Sequence, residues 1–316
     1  MKDALVRFYS IFGLTLFFAI SPANSLSGDE NPTEAMDSPI AEKPFTVEVQ
    51  KEVTYGDGQD RSDRCDIYLP RRDGDNGKTP VVLAVHGGAW MSGDKWTMRN
   101  HAFRLAAKGI AVVSINYRLA PKHKFPRQVD DVRDALIWIA EHAEEYRFDT
   151  KRLGLYGYSA GGHLVSLVAT VADEPWESLR VTSEWERDDP RWSKLPNIVA
   201  VLAGAPPTDF EGYPPMNTAM VYFLGGTRKQ KPEVYRAASP LAQLSKDDPP
   251  IHIVHGDADL LVSINSSRLF LERSAQEESE VALTVVPRQG HLFTFISPKM
   301  AETLVAFFDE QLLQTD

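Results

Sequence analysis

RLGLYGYSAGGHLVSLVATVA, residues 152–172, changes its period halfway along. Its first part, RLGLYG, reads as a strand, and HLVSLVATVA reads as a buried helix. Between them lies Gly157-Tyr158-Ser159-Ala160-Gly161, a G-x-S-x-G pattern. A strand that passes into a helix through so sharp a turn lifts its central residue above the sheet edge. The serine then sits at strained dihedrals, where side chains two residues before and after it would collide. Gly157 and Gly161 remove those collisions, and Gly162 lets the helix approach the strand. A serine that merely caps a helix would not require glycine on both sides.

Outward from this turn, short β-rich runs alternate with helical segments. FTVEVQKEV and CDIYLP come first without a helix between them and predict an antiparallel start. PVVLAV (80–85), IAVVSIN (110–116), RLGLYG (152–157), NIVAVLAG (197–204), PIHIVHG (250–256) and VALTVV (281–286) follow. Most are continuous apolar runs, the pattern of parallel strands covered on both faces. Val129, Val132, Leu136 and Ile139 mark one face of a helix, with Asp130, Asp131, Arg133 and Glu141 off that face. Met300, Leu304, Phe307 and Leu312 mark another. The fold class is therefore α/β, a mostly parallel, doubly wound sheet with antiparallel N-terminal strands. Two stretches break the alternation and predict cap insertions. Residues 173–196 are charged and hold three of the six tryptophans, and residues 206–240 are rich in Pro and Gly.

The totals narrow the partners. A net charge of −10 argues against nucleic acid or an anionic membrane surface. Lys2 and Arg7 precede an apolar run from Phe8 to Ile20, followed by small residues at Ala23 and Ser25. This is the layout of a signal peptide over 1–25, and the run is shorter than the roughly 20 residues of a membrane anchor. Residues 26–45 read as a linker and 46–316 as the catalytic domain, so the expected location is secreted or periplasmic. The single cysteine, Cys65, rules out an internal disulfide and reads as a buried apolar residue.

A serine hydroxyl needs a base. Of eight histidines, His291 stands out, in the loop after the last strand, at the same sheet edge as Ser159. The base needs a carboxylate to fix its tautomer, and HIVHGDADLLV offers Asp257 and Asp259. Spacing does not choose between them. VVLAVHGGAW (81–90) then acquires a purpose, because glycines after that strand can aim backbone N–H groups at an oxyanion beside Ser159.

DIYLP, VHGGAW, SINYRLAP, GYSAGGH, ASPL, DDPPIHIVHGDAD and the final GH together resemble α/β-hydrolases of the hormone-sensitive-lipase-like and bacterial feruloyl/acetyl esterase group. The resemblance runs from about residue 65 to the C-terminus. It implies the α/β-hydrolase fold, nucleophile Ser159, base His291, and acid Asp259 rather than Asp257. It also implies oxyanion donors at Gly87, Gly88 and Ala160, and no metal or cofactor. The resemblance does not carry the substrate over; the catalytic set together with the signal peptide makes the leading expectation an exported serine esterase acting on a small or polysaccharide-linked acyl ester. Ala89 and Trp90 depart from the lipase-type HGGG loop toward the HGGxW form also seen in kynurenine formamidases. An amidase or exopeptidase is therefore a second reading, and a non-catalytic binding relative a third.

Overall fold

Hydrogen-bond register brings the two glycine-bearing turns together. The computed structural model describes residues 45–56, 61–74, 77–172, 174–213 and 217–314, so the signal peptide and nearly all of the linker lie outside the described residues. Eight strands form one sheet: β1 Thr46–Thr54, β2 Arg64–Arg71, β3 Thr79–Val85, β4 Ala111–Ile115, β5 Phe148–Tyr158, β6 Ala200–Gly204, β7 Ile251–Gly256 and β8 Val281–Val286. Their order across it is β1-β2-β4-β3-β5-β6-β7-β8. The β1–β2 and β2–β4 pairs are antiparallel, and all pairs from β4 to β8 are parallel. Every strand expected from the sequence is present. Val85 of β3 pairs with Gly157 of β5, so the chain beyond each strand, HGGAW and YSAGG, emerges side by side.

Strand alternation divides the core into two layers. Val81, Leu83 and Val85 face one side, with the helices Arg127–Glu141 and Ala160–Thr170. Val82 and Ala84 face the other, with Arg99–Ala106 and Pro298–Phe308. Every residue of the helix Ala160–Thr170 is buried, including His163, Ser166 and Thr170.

The edge of the sheet carries an irregularity. Pairing of β1 with β2 slips between Gln50 and Val53, with Glu52 at φ 56° and its N–H on Asp66 Oδ1. Such a bulge blunts an edge that would otherwise template further pairing. The side chain of Glu52 reaches the buried ammonium of Lys95, which also pairs with Asp66 at 3.4 Å. Lys95 stands just past the HGGAW turn, so this network fastens the far end of that loop to the sheet edge.

Asp130, Asp131 and Arg133, off the apolar face of the helix Arg127–Glu141, are nevertheless buried. Arg118 pairs with Asp131, and the insert 173–196 supplies partners to the other two. Arg133 donates to the Thr182 carbonyl at 2.6 Å, and Asp130 accepts from Ser183 and from the N–H of Glu184. Glu184 and Lys194 pair with Arg127 and Glu141, at the two ends of that helix. Trp185 is buried, and Trp176 and Trp185 both meet the Trp192 ring. The insert thus lies along the outer flank of a helix, where charges paired across the contact can be buried. The insert 206–240 follows β6 at the edge of the sheet that carries Ser159.

Candidate active site

Ser159 is held at φ 55°, ψ −118°, a region that L-residues enter only when their surroundings enforce it. Its own N–H is fixed on the Gly204 carbonyl of β6 at 2.7 Å, and its carbonyl accepts from His163 N at 2.9 Å. The flanking glycines are obligatory on space alone. A Cβ on Gly161 would lie 2.0 Å from the Val85 carbonyl oxygen, and one on Gly157 would lie 2.2 Å from that of Gly161. All of these obstacles are backbone, so no side-chain rotation relieves them. Gly162 faces Gly204 and Pro206 as the helix crosses β6.

The HGGAW turn lies against this elbow. A Cβ on Gly87 would meet the Tyr158 carbonyl at 2.8 Å and Ser159 Cβ at 3.2 Å. Gly88, Ala89 and Trp90 all have positive φ, at 126°, 52° and 60°. This left-handed run returns Met91 N and Ser92 N to the Gly88 carbonyl. A side chain at Gly88 would strike the Ser92 carbonyl at 2.0 Å, besides being strained at that φ. Among the described residues no protein acceptor takes the N–H of Gly87, Gly88 or Ala160, and Ala160 opens its helix, where N–H groups lack intrahelical partners. His86, stacked on Tyr117 at 4.4 Å, donates from Nδ1 to the Gly87 carbonyl and braces the turn from behind.

Asp259, not Asp257, meets the histidine. His291 Nδ1 lies 2.5 Å from Asp259 Oδ2, and both residues are buried. Asp257 is exposed and accepts instead from the backbone N–H of Arg288. The loops after β7 and β8 are laced together by Asp257 N on Val286 O and Ala258 N on Gln289 O, and this turns Asp259 inward. Asp259 Oδ1 accepts from the N–H groups of Leu261 and Val262 at 2.8 and 2.9 Å. Burial would raise its pKa. The hydrogen bonds from His255, His291 and Val262 outweigh that and hold the carboxyl well below the usual carboxylate range. Tyr158, next to Ser159, donates its phenol to the His291 carbonyl and ties the histidine loop to the elbow. Ser159 Oγ makes no hydrogen bond to His291 among the described residues.

Sequence reasoning passed over a lock on the oxyanion loop. Trp90 Nε1 donates to His163 Nδ1 at 3.1 Å, so His163 carries its proton on Nε2, which donates to the Ala238 carbonyl at 2.8 Å. The indole stacks on Phe223 at 4.4 Å and meets Phe210 edge-on. One side chain thus joins the HGGAW loop to the nucleophile helix and to the insert 206–240. Burial pushes His163 down to about 3, so the ring stays neutral and its Nδ1 remains an acceptor. The signal was in the sequence: a Trp is the one residue of HGGAW large enough to anchor it.

Comparison with known proteins gives the family. Esterase LipC of Mycobacterium tuberculosis is 31% identical over 256 residues, 78% of this chain and 60% of that protein. The probable carboxylic ester hydrolase LipM of the same organism is 31% identical over 265 residues, 81% of this chain and 59% of its own length. The chain thus spans about 60% of the length of the curated relatives it matches. Among solved structures, a truncated carbohydrate esterase from gut microbiota superposes with TM-score 0.75 at 24% identity, covering 87% of this chain and 99% of that one. The bifunctional GH43-CE protein of Bacteroides eggerthii gives 0.71 at 28% identity, covering 83% of this chain and 38% of that one. Both likenesses extend over the α/β-hydrolase sheet described above. The BD-FAE family model matches residues 65–273, from the start of β2 past the loop that carries Asp259, and the chain belongs to that family.

Proposed function

We propose that this chain is an exported serine carboxylic-ester hydrolase with Ser159 as nucleophile, His291 as base and Asp259 as its orienting acid. The observation that carries the reading is the buried His291–Asp259 pair tied to a strained serine elbow beside unpartnered backbone N–H groups. His291 Nε2 takes the Ser159 proton as Oγ attacks the ester carbonyl, a contact that commonly tightens only with substrate in place. The N–H groups of Gly87, Gly88 and Ala160 receive the negative charge that develops on the carbonyl oxygen. His291 then protonates the departing alcohol, leaving an acyl-enzyme that water cleaves by the same steps. The chemistry needs neither metal nor nucleotide.

A signal peptide over 1–25, a linker over 26–45 and a catalytic domain over 46–316 accompany this reading. An enzyme placed outside the cell meets polymers too large to import, so we assign the substrate as an acyl ester on a polysaccharide, acetyl or feruloyl. The carbohydrate esterases among the structural neighbours support that substrate class. Cleavage of an amide is the second reading, kept by the HGGAW form of the oxyanion loop.

The test is turnover of p-nitrophenyl acetate and of acetylated or feruloylated xylan oligomers by the wild type and by Ser159→Ala. The variant should fold normally and lose ester turnover, down to a residual roughly 10³–10⁴ above the water reaction. Wild-type turnover by purified Ser159→Ala removes the assignment. Hydrolysis of aryl amides in preference to matched esters would favour the second reading.

A further inference from the structure

We propose that His255 is a positioning residue for this reaction, a second imidazole donor on the Asp259 carboxylate whose ring is set by Ser267. The proposal rests on the reading of Ser159, His291 and Asp259 given above. His255 is fully buried at the end of β7, four residues before Asp259. Its Nε2 lies 2.9 Å from the Val262 carbonyl and 3.3 Å from Asp259 Oδ2, and its Nδ1 lies 2.7 Å from Ser267 Oγ. A carbonyl can only accept, so Nε2 carries a proton; its hydrogen bond goes to Val262 O, and Asp259 Oδ2 lies 3.3 Å from the same nitrogen. Ser267 belongs to the helix Ile264–Glu277, so its hydroxyl is presented to Nδ1 from rigid backbone.

The carboxylate of Asp259 is thereby saturated. An ionised carboxylate offers about four lone-pair positions. Two are taken at Oδ1 by backbone N–H groups, and two at Oδ2 by the rings of His255 and His291. The backbone donors alone would hold one oxygen and leave the other free to swing. The imidazole of His255 restrains the second oxygen and so keeps it aimed at His291 Nδ1. It also withdraws charge. With one donor fewer, Asp259 becomes more basic and holds the His291 proton more tightly. The titratable groups facing Asp259 are His255, His291 and the phenols of Tyr158 and Tyr213.

Removal of the donor therefore has two consequences that a merely structural staple would not produce. The orientation of His291 loosens, which lowers kcat with little change in KM. The acid limb of the kcat/KM profile moves to higher pH, because imidazolium is better stabilised. The experiment is kcat, KM and their pH profile on p-nitrophenyl acetate for His255→Leu, His255→Gln and Ser267→Ala in the full chain, with melting temperatures on the same preparations. His255→Leu should lose on the order of 10- to 100-fold in kcat, the scale seen when outer hydrogen-bond partners of a reactive group are removed. His255→Gln keeps an N–H at the same reach and should recover most of that loss. Folded His255→Leu with wild-type kcat and acid limb overturns the proposal, as does Gln no better than Leu. If His255→Leu fails to fold, Ser267→Ala decides: a severalfold loss of kcat at unchanged melting temperature supports the proposal, and wild-type kcat refutes it. Failure here with an inactive Ser159→Ala leaves the ester-hydrolase reading standing, whereas an active Ser159→Ala removes both.

Discussion

Replacement of Trp90 by Phe tests how the oxyanion loop is held. Phe keeps an aromatic ring against Phe223, stacked in the native protein at 4.4 Å and 10°. It deletes the indole N–H, the donor to His163 Nδ1. His163 is fully buried and its Nε2 is committed to the Ala238 carbonyl, so no protein donor replaces the lost one. An orphaned buried acceptor costs about 1–3 kcal/mol. The void left by the missing part of the ring adds about 1 kcal/mol. Together these give about 2–4 kcal/mol, which for a domain of this size lowers the melting temperature by roughly 5–15 °C. The functional effect should exceed what stability alone would produce. Gly88, Ala89 and Trp90 hold a left-handed path that none of them favours except glycine, and the packed indole is what enforces it. Loosening it lets the N–H groups of Gly87 and Gly88 drift, and displacement of about an ångström at a reacting centre can cost about 10²-fold. The assay is thermal unfolding together with kcat and KM for p-nitrophenyl acetate on folded protein. We expect kcat to fall by about 10- to 100-fold with KM little changed. A lowered melting temperature with wild-type kcat would mean that Trp90 only fills space. An unchanged melting temperature would refute the lock itself.

The two aspartates should separate cleanly: Asp259→Asn lowers kcat by orders of magnitude through the His291 tautomer. Asp257→Asn, exposed and bonded only to Arg288 N, stays within about twofold of wild type; kinetics that reverse the two would show the acid to be misassigned. Acid should unfold the protein earlier than its carboxylates alone predict. Burial pushes His86 and His101 down to about 4 and His163 to about 3, so their neutral rings stabilise the fold fully above about pH 6.5. That contribution is lost as pH falls through the folded values. Asp131, raised by burial to about 6, works in the opposite direction, as do the raised carboxyls of Asp130 and Asp134, and offsets part of the loss. Stability should therefore fall as pH drops from 7 towards 5. Melting temperatures at pH 7, 6 and 5 measure it, and a flat profile over that range would contradict the buried neutral state of these histidines.

The strands and the elbow were legible because their signals are local. Apolar runs of five or six residues marked the strands from β3 to β8. The elbow announced itself through its glycines: no side chain fits at residue 157, against the backbone of Gly161, although the exclusion at residue 161 comes from the distant Val85 carbonyl of β3. The choice between Asp257 and Asp259 was not local. Both follow the last residue of β7, where strand parity no longer holds, and the lacing of the β7 and β8 loops decides which carboxylate turns inward. The burial of Asp130 and Arg133 on the helix Arg127–Glu141 was not legible, because a sequence cannot show that an insert some fifty residues away supplies their partners. The same holds for His163 and His255, which read alone as unremarkable buried histidines. Each acquires its role from a partner on another element, Trp90 across the sheet edge and Ser267 on the following helix. Strand and helix period, and the exclusion at Gly157 by Gly161, act between neighbours in the chain and are written in it. Hydrogen-bond partners of buried polar groups are fixed only when the register of β3, β5 and β7 brings distant loops together, and that register is a property of the folded sheet.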